Sequence, residues 1–174
     1  IDEFKKQVGE VAAGRAPKAE AFPHPIAFNC LPHIDVFRDD GFTGEEHKVM
    51  EETRKIMGDD AIRVVATCVR VPVENCHSES VTIETEKACS PDEARAALGA
   101  FPGVKVVDEP LKNAYPLAME VSGRDEVYVG RIRRDPSLPP GEHGLTMWVV
   151  GDNLRKGAAL NAVQIAEAAI ARKL

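Results

Sequence analysis

Two kinds of apolar spacing divide the chain. Phe4, Val8 and Val11 recur at three- and four-residue intervals, which predicts an amphipathic helix over residues 1–13 that Gly14 stops. Thr43, with Glu46 three residues on, has the form of a capping box, so a second helix is predicted from there to Met57, ending at Gly58. Ser90 before Pro91 starts a third, which Gly99 ends. Residues 151–174 form a long Ala-rich helix in which Leu160, Val163, Ile165, Ala166 and Ile170 make a broad apolar stripe.

The other spacing is alternation. Residues 62–70 and 78–85 are rich in Val, Ile and Thr and read as strands. In the second, Val81 and Ile83 share one face, with Ser80, Thr82 and Glu84 on the other. Pro72 lies between the two and cannot donate to a ladder, so the chain is expected to leave the sheet there. That would put Arg70 and His77 at neighbouring strand ends, near one rim. Residues 104–107, 126–133 and 144–150 supply further strands, and 135–144 is a turn-rich connector. Residues 108–122 show no period and are expected to form a long surface loop. Four prolines (Pro17, Pro23, Pro25, Pro32) hold residues 16–32 extended. The fold class predicted is α+β, a mixed and mostly antiparallel sheet with helices on one face.

Composition narrows the function classes. A chain of 174 residues with 44% hydrophobic and 29% charged residues has enough material for a real core. The net charge of −6 is spread along the sequence, without a basic block, which argues against nucleic acid as a partner. The longest apolar runs fall far short of the ~20 residues of a membrane helix. The four cysteines (Cys30, Cys68, Cys76, Cys89) have no C-x-x-C spacing, so reduced thiols in a cytoplasmic protein are expected, with no metal site. Arg172-Lys173-Leu174 faintly resembles a peroxisomal tripeptide, though basic residues in the last turn of a helix explain it equally well.

The candidate chemistry sits in two places. Arg70 and His77 pair a planar cation suited to a carboxylate with an imidazole suited to proton transfer near neutral pH. Glu45 and Lys48 are three apart and project from one face of the second helix. As a solvated pair they would be worth only ~0.2–0.5 kcal/mol. Cys76 beside His77 suggests a dyad, but neighbouring residues in an extended segment point to opposite faces. Asn153 is positioned to cap the final helix. No G-x-G-x-x-G fingerprint is present.

Four stretches in order carry a resemblance: the E-x-x-K of residues 45–48, RVPVENCHSE at 70–79, VYVGRIRRD at 127–135 and GDNLRKGAALNAVQIAE at 151–167. Together they resemble the aspartate-semialdehyde dehydrogenases, and FPHPIAFNCLPHID at 22–35 looks like a crossing segment of the same family. The resemblance implies an NADP-dependent enzyme that interconverts L-4-aspartyl phosphate with aspartate semialdehyde and phosphate through a cysteine thioacyl intermediate. It assigns His77 as the acid/base catalyst, Arg70 to the substrate carboxylate and Glu45 to its amino group. Lys48 falls to the phosphate and Asn153 to the nicotinamide end of the cofactor. The family often has tryptophan where this chain has His47.

The resemblance further implies that residues 1–174 are the C-terminal substrate-binding and dimerisation domain. Residues 153–174 would form a helix returning to a Rossmann domain that this chain does not contain, along with the catalytic cysteine and most of the NADP site. Ile1 already lies inside a predicted helix, in keeping with a fragment. A homodimer or dimer of dimers is the expected assembly, and the isolated chain is expected to be inactive. Competing readings are a non-catalytic dimerisation module, a relative of N-acetylglutamyl-phosphate reductase, and a stand-alone α+β ligand-binding module.

Overall fold

Local capping chemistry sets two of the helices where the pattern places them. In the computed structural model, which describes residues 1–173, the Thr43 hydroxyl accepts the Glu46 N–H while the Glu46 carboxylate accepts the Thr43 N–H at 2.8 Å. Helix α2 (Gly44–Met57) therefore begins there, and it ends at Gly58 in the left-handed conformation. Ser90 and Glu93 form the same reciprocal pair at the start of α3 (Pro91–Ala100). Each such cap satisfies donors that the first helical turn cannot, and losing one costs typically ~1 kcal/mol.

The chain forms two compact units, Ile1–Glu74 and the chain from Asn75 onward. In the first, α1 (Asp2–Ala12) is held by polar groups rather than by its apolar stripe. Val8 and Val11 stay exposed, and the one fully buried side chain of α1 is Gln7. Its Oε1 accepts the N–H groups of Ile26 and Ala27, and its Nε2 donates to the Lys18 carbonyl and to Glu3. Glu3 in turn accepts the N–H groups of Glu20 and Ala21. A proline-rich segment makes no ladder of its own, so its donors find side chains on α1.

Residues 62–70 correct the strand expectation. They alternate half-buried with exposed, as a strand would, but among the described residues their strand pairing is a single bridge between Leu31 and Arg70. Side chains of α2 serve this backbone instead. Arg54 Nε donates to the Ile62 carbonyl, and the Cys68 N–H donates to Glu46 Oε1, both at 2.9 Å. Arg70 is therefore not the end of a sheet strand.

The second unit holds a four-stranded sheet in the order β1-β4-β3-β2. Its strands are β1 (His77–Thr85), β2 (Val104–Val106), β3 (Val127–Arg134) and β4 (His143–Gly151). The β1–β4 and β3–β4 pairs are antiparallel and β2–β3 is parallel, giving the expected mixed α+β fold. Ala94 and Leu98 of α3 pack on Val129, Ile132, Leu145, Met147 and Val149 to make the core on one face. Ile132 reaches that face only because β3 bulges between Gly130 and Arg133. Asp108 holds the bulge: it accepts the N–H groups of Arg131 and Ile132, and its other partner is the Arg95 guanidinium.

The expected surface loop over residues 108–122 is in fact partly internal. It contains a single 3₁₀ turn at Pro110–Lys112 and a short helix α4 (Ala118–Val121), and both Pro116 and Val121 are fully buried. Pro116 lies over the face opposite α3, where its carbonyl accepts the Trp148 indole N–H at 3.2 Å. Gly130 permits that approach, since a Cβ there would meet Pro116 Cδ at 2.6 Å and the Val107 carbonyl oxygen at 2.2 Å. After β4 a wide helical turn at Arg155–Ala159, broken at Ala158, leads into α5 (Leu160–Arg172). The final helix is thus shorter than predicted. Val163, Ile165 and Ile170 of its stripe are exposed, and Leu174 of the tripeptide lies outside the described residues.

Candidate functional site

In the first unit the candidate residues are Glu45, Lys48 and Arg70. Glu45 and Lys48 stand on the first turns of α2 and share one face, as their spacing requires; Lys48 Nζ lies 3.3 Å from Glu45 Oε1. Lys48 is exposed and Glu45 half-buried, so the pair is a partly solvated one that a ligand can reach from the Lys48 side. His47 turns elsewhere, with Nε2 2.8 Å from Asp40 Oδ2 and its ring edge-on to Phe42. The Glu46 carboxylate that completes the helix cap also accepts the Cys68 N–H, fixing the segment that ends in Arg70 to the helix start that bears Glu45 and Lys48. Hydrogen bonds from the Thr43 and then the Cys68 N–H hold the Glu46 carboxyl below the usual carboxylate range. The Arg70 guanidinium lies 5.3 Å from the centre of the Phe22 ring, and its backbone is bridged to Leu31. An exposed Arg stacked on an aromatic keeps its fork available for a carboxylate.

In the second unit the candidates are His77 and Asn153. His77 is exposed at the first position of β1, directly opposite Gly151 at the last position of β4. Asn153 lies two residues beyond that pair, and its Oδ1 accepts the Cys76 N–H at 3.0 Å. The structure therefore ties Asn153 to the residue preceding His77, a link that no local pattern announces. Asn153 caps no helix, since α5 starts only at Leu160; the turn that follows β4 is closed by Asp152, whose Oδ1 accepts the N–H groups of Leu154 and Arg155. Asp152 and Asn75 are the residues that sequence reasoning missed. The only available signal was an Asp ahead of a helix, which the neighbouring Asn153 concealed.

Cys76 and His77 do not form a dyad, though not for the expected reason. Cys76 is not extended; it has φ +78°, and its Sγ donates to the Ala118 carbonyl. Burial, and then the charge of Asp152, push its thiol above the ordinary range, which removes thiolate rather than supplying it. No disulfide joins the four cysteines, and among the described residues there is no group of His, Cys, Asp and Glu able to hold a metal ion. No helix among them is long and apolar enough to cross a membrane.

Comparison with known proteins places these features in context. The family model described as "Semialdehyde dehydrogenase, dimerisation domain" matches residues 1–156. Aspartate-semialdehyde dehydrogenase of Aquifex aeolicus is 58% identical over 96% of this chain and 48% of its own length. The enzyme of the same name from Legionella pneumophila is 54% identical over the same shares. Among solved structures, aspartate semialdehyde dehydrogenase II of Vibrio cholerae, complexed with ASA, superposes with a TM-score of 0.89. It is 40% identical, covering 97% of this chain and 49% of that one. A probable aspartate-semialdehyde dehydrogenase from Pseudomonas aeruginosa gives 0.87 at 31% identity. The chain spans about half the length of the curated relatives it matches.

Proposed function

Because the chain belongs to the semialdehyde dehydrogenase dimerisation-domain family, we propose that it is the substrate-binding and dimerisation half of an NADP-dependent aspartate-semialdehyde dehydrogenase. The observation that carries this reading is 58% identity across 96% of the chain to a protein of that name. The reaction proposed is the reductive dephosphorylation of L-4-aspartyl phosphate to aspartate semialdehyde, through a thioacyl intermediate on a cysteine outside residues 1–174.

The roles follow from the side chains. The Arg70 fork takes the substrate α-carboxylate in a bidentate grip, while Glu45 accepts the amino group. Lys48 offers a compact charge to the phosphate, and its exposure leaves it able to turn from Glu45 to that ligand. His77 takes the proton of the attacking thiol and returns one to the departing group. Fixing both ends of a small zwitterion in this way converts binding energy into orientation.

The nicotinamide cofactor, when bound, supplies the hydride. Asn153 fits one edge of such a site and little more: its Oδ1 is engaged by Cys76, which leaves its amide N–H groups as the donors available. The phosphates of a dinucleotide find no Gly-rich loop in this sequence, so most of that site is assigned to a domain beyond it, to which residues 153–174 would return. Exposed Val163, Ile165 and Ile170 on α5 suit such a contact. The assignment to the cytoplasm rests on the family resemblance and on four cysteines that form no disulfide.

The test is an assay of phosphate-dependent NADP reduction with aspartate semialdehyde. The complete protein that contains this chain is expected to turn over, and residues 1–174 alone are expected to be silent for want of the nucleophile. Turnover by the isolated chain above that of its own His77→Ala variant would refute the division of labour.

Assembly gives a second expectation. The face of the sheet away from α3 carries Ser80, Arg131, Arg133 and Trp148 around an open cleft of about 320 Å³, beside a buried Thr146 hydroxyl that finds no partner among the described residues. Tyr115, Pro116 and Leu117 border this cleft without closing it, and a partner can cover what they leave open. A two-fold sheet-to-sheet contact provides one without open-ended growth, and an obligate interface buries ~2,000 Å² or more. Sedimentation equilibrium of the complete protein at micromolar concentration should give a discrete dimer or a dimer of dimers. A clean monomer would count against this use of the face.

A further inference from the structure

Asp152 is buried, and none of the roles above uses it. Its two oxygens face different parts of the second unit. Oδ1 accepts the N–H groups of Leu154 and Arg155 at 2.8 and 3.0 Å, closing the turn that follows β4. Oδ2 instead reaches residues remote in sequence, accepting the Gly123 N–H at 2.8 Å and the Asn75 side-chain amide at 2.9 Å. The other N–H of that amide donates to Ser122 Oγ at 2.9 Å. A carboxylate can remain ionised out of water when four N–H donors converge on it. The Gly123 N–H leads, with those of Leu154 and Arg155 and the Asn75 amide, in holding the Asp152 carboxyl below the usual carboxylate range against the opposing effect of burial.

The grip falls on the two residues immediately before His77. Asp152 holds Asn75, and Asn153 holds the Cys76 N–H. Between them Cys76 adopts φ +78°, a conformation unfavourable for a non-glycine residue that persists only where its surroundings over-determine it. Directly after the bend, His77 pairs with Gly151, the residue that precedes Asp152. The turn that leaves β4 thus holds three consecutive residues, 75 to 77, on the strand that enters beside it.

We propose that Asp152 is a positioning residue for His77: through Asn75, and together with Asn153 on Cys76, it fixes the bend that delivers the imidazole to the end of the sheet. The proposal rests on the reading of His77 as the acid/base group. An Asp152→Asn variant keeps the Oδ1 acceptor but turns an amide NH₂ toward two other donors, Asn75 and Gly123. Loosening the bend by an ångström is enough to cost about 10²-fold in rate.

The experiment uses the complete enzyme that contains this chain, with kcat and KM for aspartate semialdehyde corrected for the folded fraction from a thermal melt. Hydrogen exchange is read over residues 75–78. Asp152→Asn is expected to lower kcat 10- to 100-fold with KM within threefold, and to speed exchange at Cys76 and His77 while residues 145–150 stay protected. Combining Asp152→Asn with Asn75→Asp reverses donor and acceptor across that pair while leaving the Gly123 N–H opposed, and should recover part of the lost kcat. A global stability loss would show neither local exchange nor rescue. Should Asp152→Asn fail to fold, Asn75→Ala removes one donor, leaves the other three partners of Asp152 in place, and should show the same local exchange with a smaller kcat loss.

Normal kcat, or unchanged exchange at Cys76 and His77, in whichever of these variants folds would overturn the proposal. A His77→Ala control separates the two levels. If His77→Ala is crippled while Asp152→Asn is normal, the positioning role falls and the function stands. If His77→Ala is itself near normal, the catalytic reading falls and the positioning role falls with it.

Discussion

In the complete enzyme, His77→Ala is expected to lower kcat by ~10²–10⁴-fold, the usual cost of losing a general acid/base. KM for aspartate semialdehyde should move little, because His77 is assigned to protons and not to the ends of the substrate. Its place favours the role: it is exposed at the first position of β1, opposite Gly151 and one residue beyond a bend fixed by hydrogen bonds. A group held this way can meet a substrate without the side chain first leaving a core. Arg70→Lys should show the converse pattern. The charge survives while the fork is lost, so KM rises strongly with kcat less affected. Steady-state kinetics of both variants decides the matter, and a His77→Ala enzyme with near-normal kcat would remove the histidine from the mechanism.

The largest expected effect on folding belongs to a glutamine. Gln7→Leu keeps the approximate volume of the side chain but removes the acceptor shared by the buried Ile26 and Ala27 N–H groups and the donor to Lys18 and Glu3. Each buried donor left unpaired costs ~1–3 kcal/mol, so the two together cost about 2–6 kcal/mol. The loss should be confined to the unit Ile1–Glu74. Val8→Ala, one residue along the same helix but exposed, should fall within ~0.5 kcal/mol of the parent. Urea titration with hydrogen exchange read separately over residues 1–74 and 75–173 makes the comparison. Equal stability of Gln7→Leu and Val8→Ala would mean that the proline-rich segment is held by something other than Gln7.

That glutamine also shows where the sequence was legible. Helix starts at Thr43 and Ser90 were readable because a capping box is written within four residues and closes on itself. The sheet strands were readable where alternation and pairing coincide, as in β1, β3 and β4. Residues 62–70 alternate just as well, yet the partner they alternate against is α2 and not another strand, and a partner cannot be read from one segment alone. On α1 the apolar stripe drew attention to Phe4, Val8 and Val11, while the side chain that ties the helix to the unit was a polar residue between them. The same blindness hid Asp152 and Asn75. A polar residue becomes a hub only when distant backbone arrives with unpaired donors, and that is a property of tertiary structure. Glu45, Lys48, Arg70, His77 and Asn153 are candidates because a family resemblance names them. Spacing by itself supported no more than an ion pair on α2 and a cap after β4.

The order of strands in the sheet has a consequence in time. β3 and β4 are neighbours in both sequence and space, joined by the short connector after Arg134, whereas β1 pairs with β4 from the opposite end of the second unit. Closing a long loop costs more entropy than closing a short one, so β3–β4 is expected to assemble first and β1 to dock afterwards. Pulse-labelled hydrogen exchange during refolding would show it as early protection at residues 128–134 and 145–150 and late protection at 78–84; simultaneous protection would contradict it. His77 lies at the outer end of that late strand, next to the bend that Asn153 and Asp152 secure. A newly made chain therefore carries an almost finished sheet before its histidine has a fixed address, and the proposed acid/base group matures only with the last strand to arrive.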